Sequence, residues 1–176
     1  ICLSRTTNNL TLFYPSRGYP HKNHKIIPQV ADKYLKLTGS QLKIVTTLRA
    51  EELESLGLTG EDSLINVGEI GSEECARLMY ACDGVFFPSL NETASSTPLE
   101  SLAIQRILFA SDRNFVRDTM RESAVYFDPL DPTDAANKIC EFQGVEKRNN
   151  FVANNQSHRI SLPTQAQRAE SYLEVI

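Results

Sequence analysis

The sequence predicts a three-layer α/β/α protein built on a parallel β-sheet. Apolar runs of four or five residues, too short for helices, recur along the chain. Segments with apolar residues at helical spacing separate them, and glycine, proline or serine-rich breakers mark the junctions. Strands alternating with helices call for right-handed crossovers and a parallel sheet covered on both faces.

Taken in order, Thr11 to Tyr14 (TLFY) is the first strand, ended by the loop Pro15-Ser16-Arg17-Gly18-Tyr19-Pro20. Ile27, Val30, Ala31, Tyr34 and Leu35 then share one helical face. Pro28 belongs in or near the first turn, so this helix starts around His24, and Gly39 stands where a C′ glycine ends it. Leu42 to Thr46 is a second strand, and Arg49 to Leu56 a short helix. Leu64 to Val67 is a third strand, stopped by Gly68 and Gly71; Ser72 caps a helix carrying Ala76, Met79, Tyr80 and Cys82. Gly84 to Phe87 (GVFF) is the fourth strand, followed by a polar loop from Pro88 to Ser96.

Thr97-Pro98-Leu99-Glu100 has the form of a capping box with proline at N1, opening a helix that runs to about Ile104. Ile107 to Ala110 is a fifth strand, Phe115 to Met120 a short helix, and Ala124 to Phe127 a short strand. Helical segments near Thr133 to Phe142 and Thr164 to Val175 finish the chain. Between them, the polar, Asn-rich stretch from Gly144 to His158 reads as a surface connection. The pattern does not reveal the strand order.

The 176 residues suit one domain, read as residues 1–176, and are too few for two ordinary ones. A net charge of −4 argues against a dedicated nucleic-acid binder, which needs clustered Lys and Arg to neutralise phosphates. No apolar run approaches the ~20 residues of a membrane span. The first residue is Ile1, and no basic segment with an apolar core follows it, so no signal peptide is expected and the start reads as a boundary or processed end. Cys2, Cys75, Cys82 and Cys140 show no C-x-x-C spacing, which suits a reducing cytoplasm.

Ligands of open parallel sheets bind at the carboxyl ends of strands, near a reversal in strand order. Two such loops are chemically loaded. After the first strand come Arg17 and Lys22, cations placed to clamp a diphosphate beside a helix start; the alternative is two solvated loop charges. After the fourth come Glu92, able to accept hydrogen bonds from sugar hydroxyls, and Glu100, able to accept ribose hydroxyls or simply to close the capping box. Between them, Thr93-Ala94-Ser95-Ser96-Thr97 has small side chains that let backbone amides approach a phosphate.

The string PSLNETASSTPLESLA (Pro88 to Ala103) resembles the E-x7-E segment of retaining GT-B glycosyltransferases of family 4, written PSxxEGFGxxxLEAMA. SRGYPHKNH (Ser16 to His24) is similar to that family's G-R…K-N/G-H segment, and Ile65 to Ser89 to its F-x-G-x-v…ad-v-x-x-PS stretch. YFDPLDPTDAANKI (Tyr126 to Ile139) resembles its fDpxdpxxlaxaI segment. These stand in the family's order and together cover most of residues 11 to 142.

The resemblance implies a Rossmann-like domain, one half of a GT-B enzyme, that binds a nucleoside diphosphate sugar and transfers the sugar with retention. Arg17 and Lys22 would hold the diphosphate, Glu92 the donor sugar and Glu100 the ribose, with Ser96 and Thr97 donating backbone amides to the phosphates. Arg17, Lys22 and Glu92 would serve catalysis, no metal or other cofactor is expected, and Ile65 to Val67 falls at the base pocket. The acceptor, a polysaccharide, lipopolysaccharide or other glycan, free or lipid-linked, would be bound by an N-terminal domain missing here, so the isolated chain is expected to be inactive. The full-length enzyme is expected in the cytoplasm, with peripheral contact at the inner membrane face open to it. Three departures from the family pattern stand out: Thr93-Ala94-Ser95 replaces Gly-Phe-Gly, Gln105 stands where a glycine precedes the fifth strand, and Ser16 replaces the glycine before Arg17. The alternatives are a non-catalytic nucleotide-sugar-binding module, a GT-B-like nucleotide-sugar epimerase, or a phosphorylase.

Overall fold

The computed structural model describes residues 9–155, 157 and 158. Six strands form one sheet: β1 (Leu10–Tyr14), β2 (Leu42–Thr46), β3 (Leu64–Asn66), β4 (Gly84–Phe87), β5 (Leu108–Ser111) and β6 (Val125–Phe127). All neighbours pair in parallel, in the order β3-β2-β1-β4-β5-β6. The order reverses between β1 and β4, so the crevice of a doubly wound sheet opens at their carboxyl ends. The helices are α1 (Ile27–Thr38), α2 (Ala50–Ser55), α3 (Ser72–Ala81), α4 (Thr97–Ala103), α5 (Asn114–Met120), α6 (Pro132–Glu141) and α7 (Val145–Asn154). Among the described residues, no helix is long and apolar enough to cross a membrane.

Burial explains the strands. Leu12, Phe13, Val85, Phe86, Leu108 and Phe109 are wholly inaccessible, as expected of strands covered on both faces. Helix α1 buries Ile27, Val30, Ala31 and Tyr34 and packs against α6, while α4 packs against α5. Leu35, expected on the buried face of α1, is about half exposed. Two short 3₁₀ turns, Pro20–Lys22 and His24–Ile26, precede α1, so the α-helix proper starts later than the sequence suggests. Gly39 ends it in the left-handed region, at φ 69°.

Gly84 has a packing reason. A Cβ there would lie 2.7 Å from Ile107 Cγ2 and 2.9 Å from its carbonyl oxygen, so β4 can approach β5 only with glycine at this point.

Three expectations change. The capping box does not form: α4 starts at Thr97 itself, Ser96 is the N-cap with no side-chain cap bond, and Pro98 sits one residue further into the first turn. Likewise Gly71, not Ser72, precedes the first residue of α3. The stretch after Gly144 is no surface connection but helix α7. Arg148 there is buried; it donates to the carbonyls of Phe142 and Gln143 at 2.9 and 2.6 Å and pairs with Asp83 at 2.9 Å. Phe151 packs edge-on against Phe142, with centroids 5.3 Å apart. The helix expected near Thr164 to Val175 lies outside the described residues.

Candidate functional site

The loops following β1 and β4 meet over the strand-order reversal, stitched by hydrogen bonds. The Tyr14 hydroxyl, at the end of β1, donates to the Lys22 carbonyl at 2.7 Å and lies 3.2 Å from Ser89 Oγ. The Leu90 N–H donates to the His21 carbonyl at 2.7 Å. Asn23 Nδ2 reaches the carbonyls of Pro88 and Pro129, at 3.2 and 2.8 Å. Asn23 adopts the left-handed conformation (φ 59°), which asparagine tolerates better than most residues. Burial pushes the Tyr14 phenol far above its ordinary value, so it stays protonated and keeps its hydrogen to donate.

These contacts bring Lys22 and Glu92, seventy residues apart, into an ion pair of 2.5 Å. Their side chains are only 16% and 8% exposed, so each neutralises a charge that would be costly to leave alone in the crevice. Arg17 points along the sheet toward β2 and β3, where its Nε donates to Glu52 at 3.1 Å and its Nη1 to Glu69 at 2.8 Å. Sequence reasoning did not single out Glu52, Glu69 or Arg49. They belong to the short segments after β2 and β3, and no spacing motif marks them.

Glu52 is the brace of this loop. Beyond Arg17, it accepts the backbone N–H of Gly18 at 3.0 Å and of Arg49 at 2.8 Å. Burial opposes its charge, but these N–H bonds and the Arg17 guanidinium outweigh that and hold the carboxyl below its ordinary range. A Cβ on Gly18 would lie 2.8 Å from Glu52 Cβ, so glycine lets this loop touch helix α2.

Beside these loops, Pro15, Ser72, Cys75, Ala76, Met79, Ser96, Thr97, Glu100 and Ile104 line a cavity of about 310 Å³. Glu100 is exposed on its wall, and among the described residues its carboxylate has no hydrogen-bond or ion-pair partner. With the capping box absent, its carboxylate is available to a ligand. The backbone N–H groups of Ser96 and Thr97 are likewise unused by any described partner. Ile65 and Val67 do not line this cavity; they pack against the core.

A larger cavity of about 630 Å³ opens at the amino ends of β4 and β5, beside Asp83, Arg106 and Arg148. Its charges are committed: Arg148 to Asp83 and two carbonyls, Arg106 to the Tyr80 carbonyl and ring face. The smaller cavity therefore better suits a ligand, since it sits where the strand order reverses and holds an uncommitted carboxylate.

The departures from the family pattern are now interpretable. Gln105 occupies φ 60°, a conformation that favours glycine. Neither Ser16 nor Thr93, Ala94 or Ser95 has a positive φ, so those positions need no glycine in this chain. Among the described residues no three His, Cys, Asp or Glu side chains group as metal ligands.

Comparison with known proteins bears on the family and the fold. In fold, the chain is similar to S. aureus TarM (TM-score 0.77, 15% identity, 97% of this chain and 36% of that one), solved with fondaparinux, alpha-GlcNAc-glycerol and UDP. It is also similar to sucrose-phosphate synthase from Thermosynechococcus elongatus (TM-score 0.74, 18% identity, 96% and 46%). A third is Anabaena HepE in complex with UDP (TM-score 0.73, 19% identity, 96% and 50%). The chain thus spans from about a third to half the length of these proteins. No curated protein sequence matches it significantly. The profile described as glycosyl transferases group 1 matches residues 3–158, and the chain, with its Rossmann-like parallel sheet of the GT-B kind, belongs to that glycosyltransferase family.

Proposed function

We propose that this chain is the donor-binding half of a retaining glycosyltransferase, holding a nucleoside diphosphate sugar at the carboxyl ends of β1 and β4. The observation that carries this is the unpartnered Glu100 carboxylate on the wall of the 310 Å³ cavity, next to the unused N–H groups of Ser96 and Thr97. A carboxylate that accepts ribose hydroxyls and N–H groups that donate to phosphate are complementary to the two ends of a nucleoside diphosphate. Arg17 and Lys22 hold the diphosphate, and Glu92 the sugar. TarM and HepE, whose structures carry UDP, support a nucleotide ligand for this fold.

As the glycosidic bond breaks, negative charge gathers on the leaving diphosphate, and Lys22, Arg17 and the two N–H groups stabilise it. These groups supply the stabilising positive charge without a metal ion. Lys22 is neutralised by Glu92, so donor binding exchanges that pair for diphosphate on Lys22 and sugar hydroxyls on Glu92. The glycan or lipid-linked acceptor belongs to an N-terminal domain, and the whole enzyme works in the cytoplasm or against the inner membrane face.

Calorimetric titration with UDP, GDP and ADP tests this. One nucleotide should bind, and Arg17→Ala and Glu100→Ala should each weaken it about 10- to 100-fold, the worth of a hydrogen bond to a charged group. Binding that ignores both substitutions would remove the proposed site. Unchanged binding after EDTA treatment is expected.

A further inference from the structure

Arg49, just before α2 at the carboxyl end of β2, closes on the same carboxylate as Arg17. Glu69 Oε1 accepts Arg17 Nη1 and Arg49 Nη2, both at 2.8 Å, and its Oε2 accepts Arg49 Nε at 3.0 Å. The Arg49 fork and one arm of Arg17 thus bracket one side-chain anion, an arrangement that suits the oxygens of a phosphoryl group equally well.

The two carboxylates on Arg17 are held differently. Glu52, with a side chain 17% exposed, is fixed by the backbone N–H groups of Gly18 and Arg49. Glu69 is 59% exposed and held by guanidinium groups alone, on a loop between Gly68, at φ 76°, and Gly71. Exposed ion pairs of that kind contribute little net stability and exchange partners readily. Glu69 is therefore the releasable anion, and Glu52 the permanent one.

We propose that Glu69 occupies a phosphoryl position between Arg17 and Arg49 that a diphosphate ligand takes over, making Arg49 a further binding cation. This rests on the donor-site reading and extends it to the side of the crevice above β2. Glu69 acts as an intramolecular competitor: its negative charge must leave the two arginines before the ligand's charge can engage them. Neutralising it frees the Arg49 fork and the Nη1 of Arg17, while Glu52 keeps Arg17 Nε.

The test titrates the wild-type chain, Glu69→Gln, Arg49→Ala and the double variant with inorganic pyrophosphate and with UDP, GDP and ADP at one ionic strength. Both substituted side chains lie on the surface, so folding should survive, as circular dichroism would verify. Glu69→Gln should tighten pyrophosphate and the responding nucleotide roughly tenfold, the scale of one charge-assisted contact. Arg49→Ala should weaken both, and the double variant should lose the gain. Affinities indifferent to Glu69, or a gain that persists without Arg49, overturn the inference. If a nucleotide binds but ignores Glu69 and Arg49, the donor site stands and this position falls. If pyrophosphate responds as described but no nucleoside diphosphate binds, the two-arginine position stands and the donor reading falls. Silence of every ligand in all four proteins removes both.

Discussion

His24 is almost wholly buried, and neither ring nitrogen has a hydrogen-bond partner among the described residues. Its ring packs 4.8 Å from that of Tyr14, beneath the loop that carries Lys22. Burial lowers its pKa to about 4; Glu52 pulls the other way and Lys22 adds to the depression. Between pH 6.5 and 4 the unfolded chain therefore binds a proton that the folded protein refuses, so stability is full above that window and falls as the pH drops through it. Urea unfolding should show a loss of about 2 kcal/mol between pH 7 and pH 5 from this residue, and His24→Phe should flatten that slope. An unchanged slope would mean that the imidazole is solvated.

Gln105 makes a second case at the same scale. A side chain at φ 60° costs on the order of 1 kcal/mol, so Gln105→Gly should raise stability by up to about 1 kcal/mol, measurable as a higher urea midpoint. Backbone strain of this kind was legible only as a missing glycine in the family pattern. By contrast, Ser16 and Thr93-Ala94-Ser95 looked like equal departures and carry no such strain.

Helix α7 shows what an element can conceal. Its sequence, VEKRNNFVAN, offers few apolar residues and two adjacent asparagines, so it reads as a loop. What folds it is tertiary: Phe151 against Phe142, and Arg148 inserted under the sheet to satisfy Asp83 and two carbonyls at once. Arg148→Met should cost about 3 kcal/mol in chemical denaturation, because it strands a partly buried carboxylate and two acceptors. The pair Arg77–Glu73, with both side chains mostly exposed, should show no comparable loss when Arg77 is replaced by Met. The N-terminus of α4 carries a related lesson. The capping-box pattern is satisfied by residue type, yet the chain enters that helix in a helical conformation at Ser96, which leaves Glu100 free to face the cavity.

On the scale of the whole molecule, the strand order places the loops after β1 and β4 side by side, and the candidate site depends on that adjacency. A ligand bound there by the folded state alone must stabilise the entire sheet. At a nucleotide concentration about 100 times Kd, the gain is about 2.7 kcal/mol, which should raise Tm by roughly 5–10 °C. The unbound nucleotides of the UDP, GDP and ADP set should leave the melting curve where it is. A uniform shift by all three would point to phosphate binding without base recognition.

The periodicity of short apolar runs and helical faces determined the α/β class, all six strands and the order of most helices, because each element buries its own apolar residues. Arg17, Lys22, Glu92 and Glu100 were likewise visible as chemistry at strand ends. The strand order, the pairing of Lys22 with Glu92 and the bracketing of Arg17 by Glu52 and Glu69 were decided only by the tertiary structure. Such contacts join residues 35 to 70 positions apart, and their energy comes from desolvated charges meeting in one crevice, which no local pattern in the chain records.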